Sequence, residues 1–227
     1  MAYQQNNKVS IVHKLSDQKS AANLFMRQLR DVNTQVSKEH FRRNIEKIGQ
    51  IIGYEISKEL TYKTIDINTP LALHKQEVLQ DDIVIVTILR AGLPLHNGIL
   101  EVFPDSENGF ISAYRKHDET GAFEIEVEYV ACPDITDKIL ILNDPMLATG
   151  GSFVTAWNAL LELGKPKAVH IAAVIASSEG VQYVRDNAPM EFDLWVADID
   201  GQLNDSKYIV PGLGDAGDLA FGPKAQS

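Results

Sequence analysis

The sequence around residue 144 reads Ile139-Leu-Ile-Leu-Asn-Asp-Pro-Met-Leu-Ala-Thr-Gly-Gly-Ser152, and this stretch decides the fold. Its four apolar residues predict a short buried strand, which runs into Asp144 and a turn before a predicted helix at 153–163. A turn of this kind points several backbone N–H groups at one position, and its glycines let an anion approach closely. The stretch therefore predicts a phosphate-binding loop with a carboxylate at its edge.

The absence of two common nucleotide-binding motifs limits the ligands that this loop could bind. No Lys follows the glycines, which excludes a Walker-type P-loop, and there is no G-x-G-x-x-G dinucleotide motif. A carboxylate beside the loop suits a sugar phosphate, because Asp144 would accept hydrogen bonds from ribose hydroxyls while residues 149–152 hold a 5′-phosphate. The pattern alone leaves an ordinary strand–turn–helix connection equally open.

Strands and helices alternate through the middle of the chain. Residues 83–89 are a continuous apolar run typical of a central parallel strand. Further strands are predicted at 139–142, 168–176 and 192–199, with helices at 153–163 and 179–187. This alternation predicts an α/β fold with a mostly parallel, doubly wound sheet. Ligands bind such sheets beyond the carboxyl ends of strands, where Arg90, Asp144 and residues 149–152 fall.

The N-terminal part of this predicted single domain (1–227) is helical over residues 1–62. Helices are expected at 19–30 and 37–60. The second of them carries an apolar stripe at three- and four-residue steps, formed by Phe41, Ile45, Ile48, Ile52 and Ile56. This stripe is predicted to be core, whereas residues 61–79 are predicted to be irregular.

Two further segments differ from the alternating pattern. Residues 110–130 (the arm) contain two predicted strands, and in the second Ile125, Val127 and Tyr129 alternate with glutamates, which predicts one buried and one charged face. Residues 200–222 (the hood) are too rich in Gly, Asp and Pro for regular structure. Long ordered loops of this kind are usually functional.

Composition limits the classes of function. The 227 residues carry a net charge of −10, which gives no basic footprint for a nucleic acid. The single cysteine, Cys132, excludes an internal disulfide, fits a reducing compartment and is expected to be a small buried residue. There is no apolar run of membrane-spanning length, and the polar residues 1–8 are not typical of a signal peptide. The sequence predicts a cytoplasmic enzyme with no membrane partner.

Three segments resemble one enzyme family in the same order along the chain. Residues 144–152 (the PRPP loop) resemble the phosphoribosyl pyrophosphate (PRPP) motif of type I phosphoribosyltransferases, in the form found in the uracil phosphoribosyltransferase family. Residues 88–93, Ile-Leu-Arg-Ala-Gly-Leu, resemble the pyrophosphate-binding loop of that family, and residues 208–218 (the base loop) its uracil-binding segment. The resemblance covers nearly the whole chain and implies transfer of a phosphoribosyl group from PRPP to uracil, which gives UMP and pyrophosphate.

The resemblance also implies roles for individual residues. Arg90, Asp144 and Asp215 would be catalytic, and Arg115 would be a second arginine for PRPP. The PRPP loop would bind PRPP along its length, through Asp144, Pro145, Met146, Leu147, Ala148, Thr149, Gly150, Gly151 and Ser152. The main chain at Ile209, Gly214, Asp215 and Ala216 would contact uracil. Asp215 would also lie near PRPP and its Mg²⁺, which would be held mainly through the substrate. The arm would help to form a homodimer.

Several alternatives stay open on the sequence. Asn143 stands where most phosphoribosyltransferases have an acid, and Lys207 and Leu219 depart from the usual residues around the base loop. Another base specificity, a catalytically silent uracil- or nucleotide-binding homologue, and a regulatory RNA-binding protein are the rival functions. Tyr208 is expected either to cover the base or to be a packed aromatic. The sequence leaves open whether a nucleotide such as GTP is an effector.

Overall fold

The fold is built around one mixed sheet in the computed structural model, which describes residues 11–117 and 123–225. The strands of the described residues are β1 (Ile11–Lys14), β2 (Tyr62–Asn68), β3 (Leu73–Leu79), β4 (Ile83–Leu89), β5 (Glu107–His117), β6 (Phe123–Ala131), β7 (Ile139–Asn143), β8 (Met146–Leu147), β9 (Ala168–Ser177), β10 (Asp193–Asp200), β11 (Gln202–Leu203) and β12 (Ile209–Val210). The α-helices are α1 (Ala21–Arg30), α2 (Lys38–Ser57), α3 (Leu93–Val102), α4 (Gly151–Leu161), α5 (Ser178–Asn187) and α6 (Ala216–Phe221).

The order of strands in the main sheet is β1-β10-β9-β7-β4-β5-β6, and β8 also pairs with β9. All of these pairs are parallel except β5 with β6, which is antiparallel. The predicted mostly parallel α/β sheet is therefore confirmed. Because β4 and β7 are neighbours, residues that follow their carboxyl ends share one edge of the sheet.

The main sheet is covered on both faces, as a doubly wound sheet requires. Ile83 and Ile85 of β4 pack with α1, α2 and α3 on one face. Val84 and Val86 of the same strand pack with α4 and α5 on the other face. The predicted strand at 83–89 is thus a central strand whose side chains alternate between two hydrophobic cores.

The N-terminal part contains the two predicted helices and one strand that was not predicted. Side chains of Ser20 and Ser37 accept hydrogen bonds from the first turns of α1 and α2, which explains where these helices begin. The whole predicted apolar stripe of α2 is buried. However, β1 forms the edge of the sheet beside β10, and four residues are too few to show a periodic pattern.

Residues 62–79 form a regular antiparallel hairpin (the β2–β3 hairpin), so the prediction of an irregular segment was wrong. Tyr62 pairs with Leu79 and Asn68 with Leu73, and Thr69 bonds to Ala72 across the turn. Nearly all of its residues are exposed. Because neither face of the hairpin is buried, the sequence signal is weak: residues 64–68 of β2 alternate between polar and apolar side chains, but β3 shows no alternation.

The predicted arm is the hairpin formed by β5 and β6, and β5 continues the main sheet beside β4. The predicted turn falls on residues that include 118–122, outside the described part of the chain. Tyr129 is exposed rather than directed inward, because the register of the β5–β6 pairing shifts between Ser112 and Ala113, which interrupts the alternation of faces along β6. Helix α3, which has Pro94 in its first turn, was not predicted. Within the described residues, no helix is both long and apolar enough to cross a membrane.

The hood is more regular than its composition predicts. Its residues 202–203 and 209–210 pair as β11 and β12, and α6 begins within the base loop at Ala216. These elements are only two to six residues long, so the high content of Gly, Asp and Pro hid them. Ile209, Leu213, Ala216 and Ala220 are buried against the α1–α3 side of the sheet, which fixes the hood to the core.

Candidate active site

Arg90 follows β4 at the carboxyl edge of the sheet, after a cis peptide bond between Leu89 and Arg90. Its Nη2 donates to the carbonyl of Gly222 at 3.3 Å and lies 3.8 Å from a carboxylate oxygen of Asp218. Both charged side chains are exposed by more than 40%. This ion pair is long and solvated, so it holds the guanidinium only weakly.

A buried polar contact joins the strand before Arg90 to the strand before Asp144. Thr87 donates to Oδ1 of Asn143 at 2.9 Å, and Nδ2 of Asn143 donates to the carbonyl of Val86 at 2.9 Å. Thr87 and Asn143 are completely buried. Gly92 lies close above them, since a Cβ there would be 2.0 Å from the Thr87 hydroxyl. Asn143 therefore has a structural role at the position where the family more often has an acid.

Asp144 is partly buried just beyond β7, and its backbone N–H donates to Ala172 of β9. One carboxylate oxygen accepts from the Met146 N–H at 3.3 Å. Burial raises the pKa of Asp144 to about 7, and the negative charge of Asp215 adds to this effect. An acid with this pKa can either accept hydrogen bonds from a diol as a carboxylate or hold a proton near neutral pH.

The rest of the PRPP loop turns sharply into α4. Gly150 has a φ of +81°, and a Cβ there would lie 2.8 Å from the Gly180 carbonyl. No described side chain caps the N terminus of α4, which leaves its first N–H groups to an anion. Ser177 donates to the carbonyl of Ala148 and accepts from Gly180, so the start of α5 supports the loop from behind. Ser177 and Gly180 were not among the predicted site residues.

The base loop approaches the other two loops from the hood. Asp215 caps α6, since its Oδ1 accepts from the Asp218 N–H at 2.9 Å. A Cβ at Gly217 would lie 3.9 Å from Cβ of Ala91, so the base loop faces the pyrophosphate-binding loop. The pyrophosphate-binding loop follows β4, and β4 pairs with β7, which leads into Asp144. The structure thus brings the loops that carry Arg90, Asp144 and Asp215 to one edge of the sheet.

The other predicted residues are placed with different degrees of detail. Ile209 and Ala216 are buried, so only their main chain is available to a base. Tyr208 is 44% exposed, which excludes a packed aromatic. Arg115 pairs with Ile125 in the β5–β6 ladder, but its side chain lies outside the described part of the structure. Among residues 11–117 and 123–225, no three His, Cys, Asp or Glu side chains form a metal-binding group.

Comparison with known proteins decides between the open functions. Residues 16–223 match the family model described as uracil phosphoribosyltransferase. The chain belongs to the uracil phosphoribosyltransferase family. Its relatives of that name include one from Porphyromonas gingivalis, 49% identical over 95% of this chain and 100% of that protein. Another, from Thermococcus gammatolerans, is 37% identical over 88% of both chains.

A solved structure supports the same assignment at the level of the fold. The AQ2163 protein from Aquifex aeolicus superposes with a TM-score of 0.84 at 30% identity, and the match covers 95% of this chain and 100% of that one. The predicted resemblance to the uracil phosphoribosyltransferase family is confirmed by the family model and the named relatives.

Proposed function

We propose that this chain transfers the phosphoribosyl group of PRPP to N1 of uracil, giving UMP and pyrophosphate in pyrimidine salvage. The observation that carries the proposal is the approach of the base loop to the pyrophosphate-binding loop, where the Cβ position of Gly217 lies 3.9 Å from Cβ of Ala91, beside the strand pair that leads into the PRPP loop. This approach puts a base held by the base loop beside a ribose held by the PRPP loop. The bond from C1′ to the pyrophosphate oxygen breaks, and the bond from N1 of uracil to C1′ forms as N1 loses its proton.

In this proposal the PRPP loop positions the sugar. The N–H groups of Thr149, Gly150, Gly151 and Ser152 bind the 5′-phosphate at the N terminus of α4. Asp144, as a carboxylate, accepts hydrogen bonds from the ribose hydroxyls and stabilises positive charge that develops at C1′. Because the pKa of Asp144 is raised to about 7, the reaction is expected to be faster above this pH, where Asp144 is ionised.

Arg90 stabilises the departing pyrophosphate. Its weak contacts with Asp218 and Gly222 are exchanged for oxygen atoms of the diphosphate, which bind a guanidinium more strongly than an exposed carboxylate does. Arg115 is proposed as a second arginine for PRPP. Mg²⁺ bound with PRPP supplies charge neutralisation of the diphosphate. A Mg²⁺ ion that is held mainly by its substrate needs few protein ligands. Asp215 is the proposed protein ligand.

Uracil is read by the main chain of the base loop. The backbone at Ile209, Gly214, Asp215 and Ala216 offers N–H and C=O groups to the edge of a flat pyrimidine. A cytosine in the same place would leave polar groups of the loop unpaired. The free-energy cost of those unpaired groups gives strong selectivity for uracil over cytosine. Asp215 is the proposed acceptor of the N1 proton, through a bridging water.

We also propose that the chain forms a homodimer in the cytoplasm. The β2–β3 hairpin, rather than the arm alone, exposes apolar side chains, with Leu71 at 96% and Leu73 at 66% exposure. An isolated hairpin is only marginally stable in water, so packing on a second copy would stabilise it. The Leu73→Asp variant is expected to sediment as a monomer, whereas the wild type sediments as a dimer. A monomeric wild type would contradict the proposal.

The function is tested by pyrophosphate release from PRPP and Mg²⁺ with uracil, cytosine, orotate or hypoxanthine. Release with uracil alone is the expected result. Release with a different base would retain the PRPP site and remove the uracil assignment. If PRPP bound without release with any base, the silent-homologue alternative would replace the proposal.

A further inference from the structure

Arg30, at the end of α1, holds the base loop although it lies at least 168 residues before its partners. Its Nη1 donates to the carbonyl of Gly212 at 2.9 Å and to Oδ2 of Asp200 at 2.8 Å. Its Nη2 donates to Oδ1 of Asp200 and to Asp198, both at 2.9 Å. One guanidinium therefore joins the N-terminal helix, the end of β10 and the base loop.

Asp200 completes this arrangement by binding the other backbone group of Gly212. Its Oδ2 accepts from the Gly212 N–H at 2.8 Å, so both polar backbone groups of Gly212 are bound. The Asp200 side chain is 7% exposed. Burial alone would raise the pKa of Asp200, but hydrogen bonds from Arg30 and Gly212 hold it below its usual value. Asp200 therefore stays ionised and paired with Arg30.

A second residue of the N-terminal part contacts the next residue of the loop. Nε2 of Gln35 donates to the carbonyl of Leu29 at 2.7 Å and to the carbonyl of Leu213 at 3.3 Å. Arg30 and Gln35 thus bind consecutive residues, Gly212 and Leu213.

The held residues lie at the centre of the proposed uracil contacts. Gly212 has a φ of +61°, and a Cβ there would lie 2.0 Å from the Ile209 carbonyl, so residues 209–212 form a tight turn, which contains the cis Val210–Pro211 bond. The proposed base contacts are at Ile209 on one side of this turn and at Gly214–Ala216 on the other. A shift of Gly212 would change the distance between the two sets of contacts.

We propose that Arg30 and Asp200, assisted by Gln35, are positioning residues that set uracil affinity by fixing the Gly212–Leu213 turn of the base loop. This inference rests on the proposed function. Neither Arg30 nor Asp200 contacts the PRPP loop in any described hydrogen bond, so loss of the contact affects uracil rather than PRPP.

The test is a pair of KM measurements by pyrophosphate release, one with uracil varied at saturating PRPP and one with PRPP varied at saturating uracil. The Arg30→Gln variant is expected to raise the KM for uracil by about tenfold or more, because it removes charge-assisted hydrogen bonds, while the KM for PRPP changes less than about twofold. Arg30→Lys restores a cation without the guanidinium fork and is expected to give an intermediate KM for uracil.

Matched variants separate positioning from general stability. Arg27→Gln removes the same charge from an exposed site on the same helix and is expected to behave as the wild type. Asp198→Asn removes a partner of Arg30 that does not contact the loop, whereas Asp200→Asn also weakens the Gly212 contact. Asp200→Asn is therefore expected to raise the KM for uracil more than Asp198→Asn does. If thermal unfolding shows that Arg30→Gln is not folded, Gln35→Ala is used in its place. This variant is expected to raise the KM for uracil by about threefold.

Equal changes in both KM values, or equal effects of Asp198→Asn and Asp200→Asn, would overturn the positioning role while the proposed function stands. A wild type that released no pyrophosphate with uracil would instead overturn the proposed function, and this inference with it.

Discussion

In the PRPP loop the backbone is fixed by the neighbouring strand of the sheet, whereas in the base loop it is fixed by side chains from distant parts of the chain. The Pro145 carbonyl accepts from Val174 and Ile175 of β9, and the Ala148 carbonyl accepts from Ser177. Gly212 of the base loop depends instead on Arg30 and Asp200. The proposed phosphate site thus depends on sheet topology, and the proposed base site depends on long-range side-chain contacts.

Gly150→Ala tests whether the backbone geometry of the PRPP side of this comparison is required. A left-handed φ costs an L residue about 1–2 kcal/mol, and the new Cβ would lie 2.8 Å from the Gly180 carbonyl. The KM for PRPP is expected to rise by at least about tenfold, because a displaced loop costs more than 1.4 kcal/mol in binding. Gly201→Ala is the control, since no atom lies within 4 Å of its Cβ position. A normal KM for PRPP in Gly150→Ala would show that the loop geometry is not required.

The pH dependence of activity tests the role of Asp144 in the PRPP loop. Since its pKa is raised to about 7, the carboxylate becomes protonated as pH falls through neutrality and loses acceptor capacity for the ribose hydroxyls. We expect kcat/KM for PRPP to fall below about pH 7 in the wild type. Asp144→Asn is expected to have lower activity by about a hundredfold and to lack this part of the profile. An unchanged profile in Asp144→Asn would assign the titration to another group.

The smallest expected effect is a change in stability from a substitution at Lys207, which precedes the base loop. This residue has a φ of +63°, a conformation that favours Gly. Lys207→Gly is expected to increase the free energy of unfolding by up to about 1 kcal/mol, because relief of backbone strain exceeds the added entropy of the unfolded chain. Urea unfolding measures this change. A destabilised variant would mean that contacts of the Lys207 side chain outweigh the strain.

The two loops also differ in how far the sequence predicts them. The run at 139–142 and the glycines at 150–151 are adjacent in sequence, so strand, turn and helix could be predicted together. The anchoring of Gly212 by Arg30 could not, because nothing in the local pattern of α1 indicates a partner 182 residues away. The β2–β3 hairpin was missed for another reason. Its residues are exposed on both faces, and strand prediction depends on one buried face.

Asn143 has consequences for the paths by which this motif can evolve. Its amide group faces both a donor, Thr87, and an acceptor, the carbonyl of Val86. An ionised aspartate at this completely buried position would place a carboxylate oxygen next to the carbonyl oxygen of Val86, so that two acceptors would face each other without a hydrogen. An ionised acid at position 143 is therefore incompatible with the side-chain contact to the Val86 carbonyl, although the backbone pairing of β4 and β7 does not depend on that contact. A change to the acid is expected to show epistasis and to be tolerated best after a compensating change beside Val86.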